Sequence, residues 1–507
     1  MLNLTPPLRP YFAARCRASR RWYTRAGAEQ AQRRVLDFLL RKAASTAIGL
    51  RYNFPAIRSA EAFAEAVPVM SYPELRSDIM QMVQGRSDVL WPGRCKRFAQ
   101  SSGTSDGKSK YIPITGESLR LNHYRGASDV VAHYLNIYGQ SRLFGGKTFI
   151  LGGSFANEVS DLPADVRVGD LSANLIDAIN PAVELMRVPR KNVALMADWH
   201  QKLPALVEAA INQDITNISG VPSWFLTVLR EVLKRTGADH IHQVWPHLEV
   251  FFHGGIAFGP YRQQYDSIIE PERMRYLETY NASEGFFAVQ DTPAGRSMLL
   301  LLDVGVYYEF VPLDQIDMPH PRALTAWQVE PGGVYALIIS ACNGLWRYAI
   351  GDTVRVDSVE PLRITIAGRT HSYINAFGEE LMVHNADAAI AATCSKMHCA
   401  VANYTAAPVF ATSASKGCHQ WLIEWATKPV SVEEFAAELD RQLCAVNSDY
   451  QAKRSGSIFL DCLQIVSARH GLFDDWLAST GKLGGQRKIP RLSPSRTLIE
   501  SMLSFNK

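Results

Sequence analysis

No run of about 18 apolar residues occurs in this chain, so a membrane-spanning helix is excluded on length and no membrane partner is expected. Cysteine is sparse. Eight occur in 507 residues, at 16, 95, 342, 394, 399, 418, 444 and 462, and no pair is spaced Cys-x-x-Cys. That is no disulfide scaffold, and a reducing cytoplasm is the expected location. The spacing of Cys394, His398, Cys399, Cys418 and His419 fits no standard zinc finger, so ordinary buried thiols are the simpler reading. Neither sign of charge dominates: 53 basic and 49 acidic residues leave a net charge of +4, which argues against a protein built mainly to hold nucleic acid. The segment before Glu29 is Arg-rich and lacks acids, a faint likeness to an organelle transit peptide. It has no apolar core of the secretory kind, and a solvated helical face is the reading adopted. Internal repeats and low-complexity tracts are absent as well.

What is present begins with Ser101-Ser102-Gly103-Thr104-Ser105-Asp106-Gly107-Lys108-Ser109-Lys110. Hydroxyls and free backbone N–H groups bind phosphate oxygens, and lysine supplies the counter-charge. Phe98 and Ala99 precede the run and Tyr111 and Ile112 follow it, which reads as strand, loop, strand. A linker would share the Ser and Gly content but rarely ends in Lys-x-Lys against a β-type segment. The Walker spacing Gly-x-x-x-x-Gly-Lys-Ser/Thr is missed by one residue between Gly103 and Gly107, and a Walker loop would open a helix. A Gly-x-G-x-x-Gly dinucleotide fingerprint is also absent from this loop.

The length implies two or more domains. Residues 25 to 47 have helical spacing, and Ser71 to Leu75 reads as a capped helix start with Pro73 near its first turn. From about 146, strand-like and helix-like segments alternate: strands at Lys147 to Leu151, Ile215 to Ile218, Leu248 to Phe252 and Met274 to Thr279, helices at Asp198 to Ala210, from Pro222 to about Arg235, and over about 260 to 269. This predicts an α/β fold with a largely parallel sheet, whose ligands sit beyond the carboxyl ends of the strands. His253-Gly254-Gly255 and Tyr280-Asn281-Ala282-Ser283-Glu284-Gly285 fall there. Residues 298 to 368 read as strands only, a β-barrel-like or antiparallel subdomain. After Arg369 come a small-residue helix at Ala386 to Thr393, strands at Trp421 to Trp425 and Ile458 to Val466, and a helix opened by Ser431 and Glu434. The expected division is a large N-terminal domain, residues 1–369, and a small mobile C-terminal α+β domain, residues 370–507.

Several polar residues invite a role in phosphate chemistry. Glu284 suits a hard cation such as Mg²⁺, although alone it could be a surface turn glutamate. Asp352, ending Trp346-Arg347-Tyr348-Ala349-Ile350-Gly351-Asp352, can accept two hydroxyl hydrogen bonds, although Gly-Asp also suits a hairpin turn. Arg347 could pair with that acid or with a carboxylate in the site. Lys488, in Gly484-Gly485-Gln486-Arg487-Lys488-Ile489-Pro490-Arg491, would alone be read as a solvated lysine.

Taken in order, these motifs, together with Val89-Leu90-Trp91-Pro92-Gly93, Phe252-His253-Gly254-Gly255 and Gly368-Arg369, resemble the adenylate-forming superfamily. Within it the chain is similar to the Gretchen Hagen (auxin-responsive promoter) family of acyl acid–amido synthetases, especially its bacterial members. The resemblance spans nearly the whole chain. It implies an enzyme that uses ATP and Mg²⁺ to convert a carboxylic acid to an acyl-adenylate, then passes the acyl group to an amine, an amino acid above all. A thiol acceptor (coenzyme A or a carrier protein) and a nucleotide-binding scaffold without turnover are the alternatives. By the same resemblance, Ser101, Ser102, Gly103, Thr104, Ser105 and Lys110 form the phosphate loop, and Gly254, Gly255 and Tyr280 the adenine wall. Ser283 lies near the α-phosphate, Asn281 is also nucleotide-binding, Glu284 is the metal ligand, and Asp352 and Arg369 serve the ribose and hinge region. Lys488 is the catalytic lysine of the mobile domain. The chain departs from the family at Asp106, an acid within the loop, and at His371 in the hinge. At the position of a plant carboxylate-binding arginine it has Asp129, with Arg125 near, so no acyl-pocket residue is assigned.

Overall fold

The computed structural model describes residues 3–506 apart from 102–109, 156–158, 160–161, 257, 259–260, 294, 296, 317, 319–320, 370–372, 412–415, 456–459 and 480–488. Its strands are, in chain order, β1 (Arg97–Ser101), β2 (Lys110–Pro113), β3 (Lys147–Ile150), β4 (Arg167–Gly169), β5 (Arg187–Val188), β6 (Ile215–Gly220), β7 (Val250–Gly254) and β8 (Arg275–Ala282). Then come β9 (Gly285–Val289), β10 (Met298–Leu300), β11 (Val306–Pro312), β12 (Leu324–Thr325), β13 (Val334–Ala341), β14 (Tyr348–Val359) and β15 (Leu362–Arg369). A large N-terminal domain carries two sheets: β2-β1-β4, and a 12-stranded sheet in the order β12-β11-β13-β14-β15-β10-β9-β8-β7-β6-β3-β5.

One half of the large sheet is parallel, because helices return the chain between β5, β3, β6, β7 and β8. Its strands are buried runs such as Val250–Phe252, as expected where helices cover the sheet. The helix Pro222–Thr236 starts with proline in its first turn and stops at Gly237, whose φ of +68° suits a residue without Cβ. The helix expected over about 260 to 269 is shorter, Arg262–Asp266, among the described residues.

Among β8 to β15 each pairing is antiparallel. These strands prolong the parallel sheet in a line, and no described pairing joins its two ends into a barrel. The reason lies in β10, which spends one edge on β9 and the other on β15. Two apolar cores follow the two halves: one holds Trp22, Trp91 and Trp346, the other Phe149, Phe225 and Trp245.

The N-terminal helix Thr5–Ser19 corrects the reading of a solvated basic face. Arg17, Arg20 and Arg21 are exposed. Arg15, however, donates to both oxygens of Asp129 and both of Asp303, and Arg9 donates to the Leu135 carbonyl at 2.8 Å. The helix packs there because Phe12 and Cys16 on its inner face are buried.

The smaller C-terminal domain has its own core, including Trp421, Phe435 and Leu439. Its strands are β16 (Tyr373–Ile374), β17 (Leu381–Met382), β18 (Ala400–Val409), β19 (Cys418–Thr427) and β20 (Gln464–Ala468). β18 pairs antiparallel with β19, and β20 pairs parallel with its other edge. Among the described residues the last strand begins at Gln464, later than expected, and Ile458 lies outside them. Helices Val383–Met397 and Val432–Val446 complete the α+β arrangement, and Ser431 caps the second by accepting the Glu434 N–H at 3.1 Å. Among the described residues no helix is long and apolar enough to cross a membrane.

Candidate active site

A cleft of about 680 Å³ opens beyond the carboxyl ends of β7 and β8. Three separate stretches converge on it. The β7–β8 side supplies Gly255 and Tyr280 through Glu284, the β1–β2 hairpin supplies Ser101 and Lys110, and the start of the C-terminal domain supplies Asn375, Ala376 and Glu380. Strand pairing explains the hairpin's contribution, since Ser101 and Lys110 are cross-strand partners at its open end.

Glycine is required where β7 meets β8. A Cβ on Gly254 would lie 2.4 Å from the Thr279 carbonyl and 2.9 Å from Asn281 Oδ1, and Gly255 follows with φ of +83°. The close approach lets backbone, rather than a side chain, form this edge of the cleft.

Glu284 is nearly buried and sits at the turn between β8 and β9. Its carbonyl accepts Asn343 Nδ2 at 3.0 Å, while Asn122 Oδ1 accepts the Phe286 N–H at 2.7 Å. Lys110 Nζ donates to the Tyr348 hydroxyl at 3.3 Å, and that hydroxyl donates to Glu284 Oε1 at 3.5 Å. The cation at the end of the hairpin and the acid of the turn therefore communicate through one buried phenol. The Tyr280 hydroxyl donates to Asp352 Oδ2 at 2.6 Å, a charge-assisted bond that orients the acid. Asn281 is exposed, and its Oδ1 accepts the Thr279 hydroxyl at 3.3 Å.

Arg347 does not serve Asp352 or the cleft. Its guanidinium pairs with Glu309 at 2.9 Å and donates to the carbonyls of Ala64 and Val67 at 2.8 and 2.6 Å. Both partners of the ion pair are buried, and burial pushes the Glu309 carboxyl up, against the opposing effect of Arg347. Two carbonyls at the end of the helix Ala60–Ala66 and a carboxylate on β11 take the guanidinium's N–H donors and turn it away from the site. Asp129 is likewise committed, to Arg15, and Arg125 to Asp303 at 2.8 Å.

The cleft thus gathers Ser101, Lys110, Gly255, Tyr280, Asn281, Ser283, Glu284 and Asp352, with Gly254 just behind. Arg369 opposes Asp352 across the β14–β15 pairing. Ser102, Gly103, Thr104, Ser105, Asp106, His371 and Lys488 lie outside the described residues. Sequence reasoning passed over three lining or linking groups. Tyr348 stood inside a quoted motif but was given no role. Glu380 sits in an unremarked Glu-Glu pair. His253 was read only as the neighbour of two glycines; its ring stacks on Phe258 at 4.4 Å, and burial pushes its pKa down to about 3, so it is neutral.

The architecture is shared with solved ligases. It superposes on AtGH3.15 acyl acid amido synthetase in complex with 2,4-DB with a TM-score of 0.60 at 18% identity, over 95% of this chain and 94% of that one. It superposes on 2-Hydroxyisobutyryl-CoA Ligase with a TM-score of 0.61 at 14% identity, over 96% and 93%. The GH3 family N-terminal, central and C-terminal domains match residues 23–274, 299–369 and 384–497, and the chain belongs to the GH3 family. Among curated proteins it is 22% identical to the probable indole-3-acetic acid-amido synthetase GH3.1 of Oryza sativa subsp. japonica, over 94% of this chain and 89% of that protein. It is also 22% identical to the Arabidopsis thaliana protein of the same description, over 98% and 95%.

Proposed function

We propose that the protein is an AMP-forming ligase that activates a carboxylic acid with ATP and joins it to the amine of an amino acid. The observation that carries this reading is the single cleft that presents Lys110 and Glu284, linked through Tyr348, beside the Tyr280–Asp352 pair. A cation and a carboxylate stand where the phosphates are to lie, and an oriented acid stands where a ribose is to be held. Tyr280 and the Gly254-Gly255 edge form the adenine wall, Asp352 accepts the ribose hydroxyls, and Ser101 and Lys110 carry the two ends of the phosphate loop.

Glu284 suits Mg²⁺. It is an acid facing the cleft beside Lys110 and Tyr348, and this cation commonly needs only one or two carboxylates besides phosphate oxygens. When bound, Mg²⁺ offsets the charge that builds on the departing pyrophosphate. Lys110 supplies positive charge from the other side, through a hydrogen-bonded position that keeps it facing the cleft. Domain division at residues 369 and 370 leaves β15 with the large sheet and gives the following segment to the smaller domain, which delivers Lys488 for adenylation alone.

The test is a panel of carboxylic acids incubated with enzyme, ATP, Mg²⁺ and hydroxylamine, followed by competition between amino acids and thiols for the best acid. Acid-dependent hydroxamate and then amide are expected. Thioester in preference to amide would replace the amine with a thiol acceptor. Absence of acid-dependent pyrophosphate exchange across the panel would leave a nucleotide-binding scaffold.

A further inference from the structure

Glu379 and Glu380 are adjacent acids with opposite surroundings. Glu379 is fully buried; its carboxylate accepts the N–H groups of Ala376 at 3.2 Å and Phe377 at 2.6 Å, and His419 Nε2 stands 2.8 Å away. Glu380 instead lines the cleft, where the Ser101 hydroxyl donates toward its Oε2 at 3.5 Å. Its φ is +38°, in the left-handed region that a glutamate seldom adopts. The surroundings enforce that conformation. Asn375 Oδ1 accepts the Glu380 N–H at 3.3 Å, Asn447 Nδ2 donates to its carbonyl at 3.3 Å, and Gly378 turns the chain with φ of +90°. A non-glycine residue held there from several sides marks a position where the side chain's placement matters.

We propose that Glu380 receives the ammonium group of the incoming amine and takes its proton before acyl transfer. This rests on the amide-forming reading above. Ser101 opens the segment assigned to phosphate binding, so a carboxylate beside it repels a triphosphate and attracts a cation once pyrophosphate has left. An amino acid arrives as such a cation. A thiol gains nothing from the carboxylate, and the phosphates of coenzyme A are repelled by it. Lys110, Glu284 and Asp352 share the cleft. Behind the loop, Lys453 lies with its ammonium 4.0 Å from the Trp224 ring, and Asp170 and Asp449 act on it along with Glu379 and Glu380. In the transfer step the ammonium gives one proton to Glu380. The nitrogen lone pair forms the C–N bond to the acyl carbon, the C–O bond to the α-phosphate breaks, and AMP leaves with that electron pair. The second N–H proton of the reacting nitrogen passes to solvent.

The decisive experiment uses two nucleophiles with the best acid of the panel: a mixture of the common amino acids, and hydroxylamine, which is uncharged at neutral pH and needs neither ammonium docking nor loss of a proton before it attacks. In Glu380→Gln, transfer to amino acids is expected to fall about tenfold or more relative to hydroxylamine trapping, with a raised KM for the amine. Glu380→Asp, which keeps the charge on a shorter arm, is expected to recover part of the loss. Glu380→Asn, whose side chain tolerates the left-handed backbone, guards against a folding defect. Equal losses for both nucleophiles in the Gln and Asn variants would overturn the assignment. If the wild-type enzyme itself makes thioester instead of amide, the amide-forming reading fails first, and the variants are not needed to show it.

Discussion

The two walls of the cleft are built differently. On the sheet side, Glu284 and Asp352 are fixed by the strands that carry them and by Asn343 and Tyr280, groups belonging to the same 12-stranded sheet and its connections. On the other side, Asn375 to Glu380 is tied to the C-terminal domain through His419, Asn447 and the Lys453 side chain packed under Gly378. A wall tied mainly within the large domain keeps its geometry through a reaction. A wall tied to a separate core moves with that core. The first suits groups needed in both half-reactions, such as a ribose acid; the second suits groups needed in only one.

The sharpest way to break that comparison is Lys488→Ala. Acid-dependent pyrophosphate exchange is expected to fall about 10³-fold or more, while aminolysis of preformed acyl-adenylate persists. Equal loss of both steps would deny that the smaller domain divides its work between them. Next in size is Glu284→Gln on the sheet wall. It should lower exchange by about 10²-fold and raise the Mg²⁺ concentration required, a shift read by titrating Mg²⁺ at fixed ATP. A rate loss with an unchanged Mg²⁺ requirement would remove Glu284 as the metal ligand.

A milder variant tests the ties of the second wall. His419→Ala leaves the fully buried Glu379 carboxylate with two backbone donors among the described residues, at a cost of about 2 kcal/mol to the C-terminal domain. Hydrogen exchange followed separately over residues 400–409 and 275–282 is expected to accelerate in the first segment and stay unchanged in the second. Acceleration in both would mean that the two walls unfold as one unit.

Local pattern made much of the sheet wall legible. The hairpin strands β1 and β2, the strands feeding residues 253–255 and 280–285, and the helix opened by Ser71 and Glu74 all follow from turn residues, periodicity and capping chemistry. Long-range pairing was not legible. Arg347 finds Glu309 across 38 residues and Arg15 finds Asp303 across 288, and no spacing rule connects either pair. Of the two readings offered for residues 298 to 368 the antiparallel one holds, but an all-strand segment does not reveal that β10 joins β9 to β15. In the C-terminal domain β18 escaped notice because its Ala-rich, Pro-containing sequence lacks strand propensity and is held by pairing with β19. The Glu379–Glu380 pair reads as ordinary surface charge until the fold buries one acid and turns the other into the cleft.

The smallest effect concerns acid. Burial pushes His123 and His133 down to about 4 and His253 to about 3, and all three belong to the large domain. In the folded state they stay neutral as pH falls below 6.5, the ordinary value, while in the unfolded chain they take up protons. The unfolded state therefore binds more protons between about pH 6.5 and 4, and stability falls as pH drops through that window; above it the three groups contribute no slope. Each adds about 1.4 kcal/mol per pH unit at most. Acid is therefore expected to loosen residues 250–282 in hydrogen exchange. His253→Gln should flatten the acid limb of the large domain's stability curve by one group's share without moving that of the smaller domain. A limb unchanged by this variant would mean that His253 is protonated in the folded protein as readily as in the unfolded chain, and that the sheet wall is less dry than its burial implies.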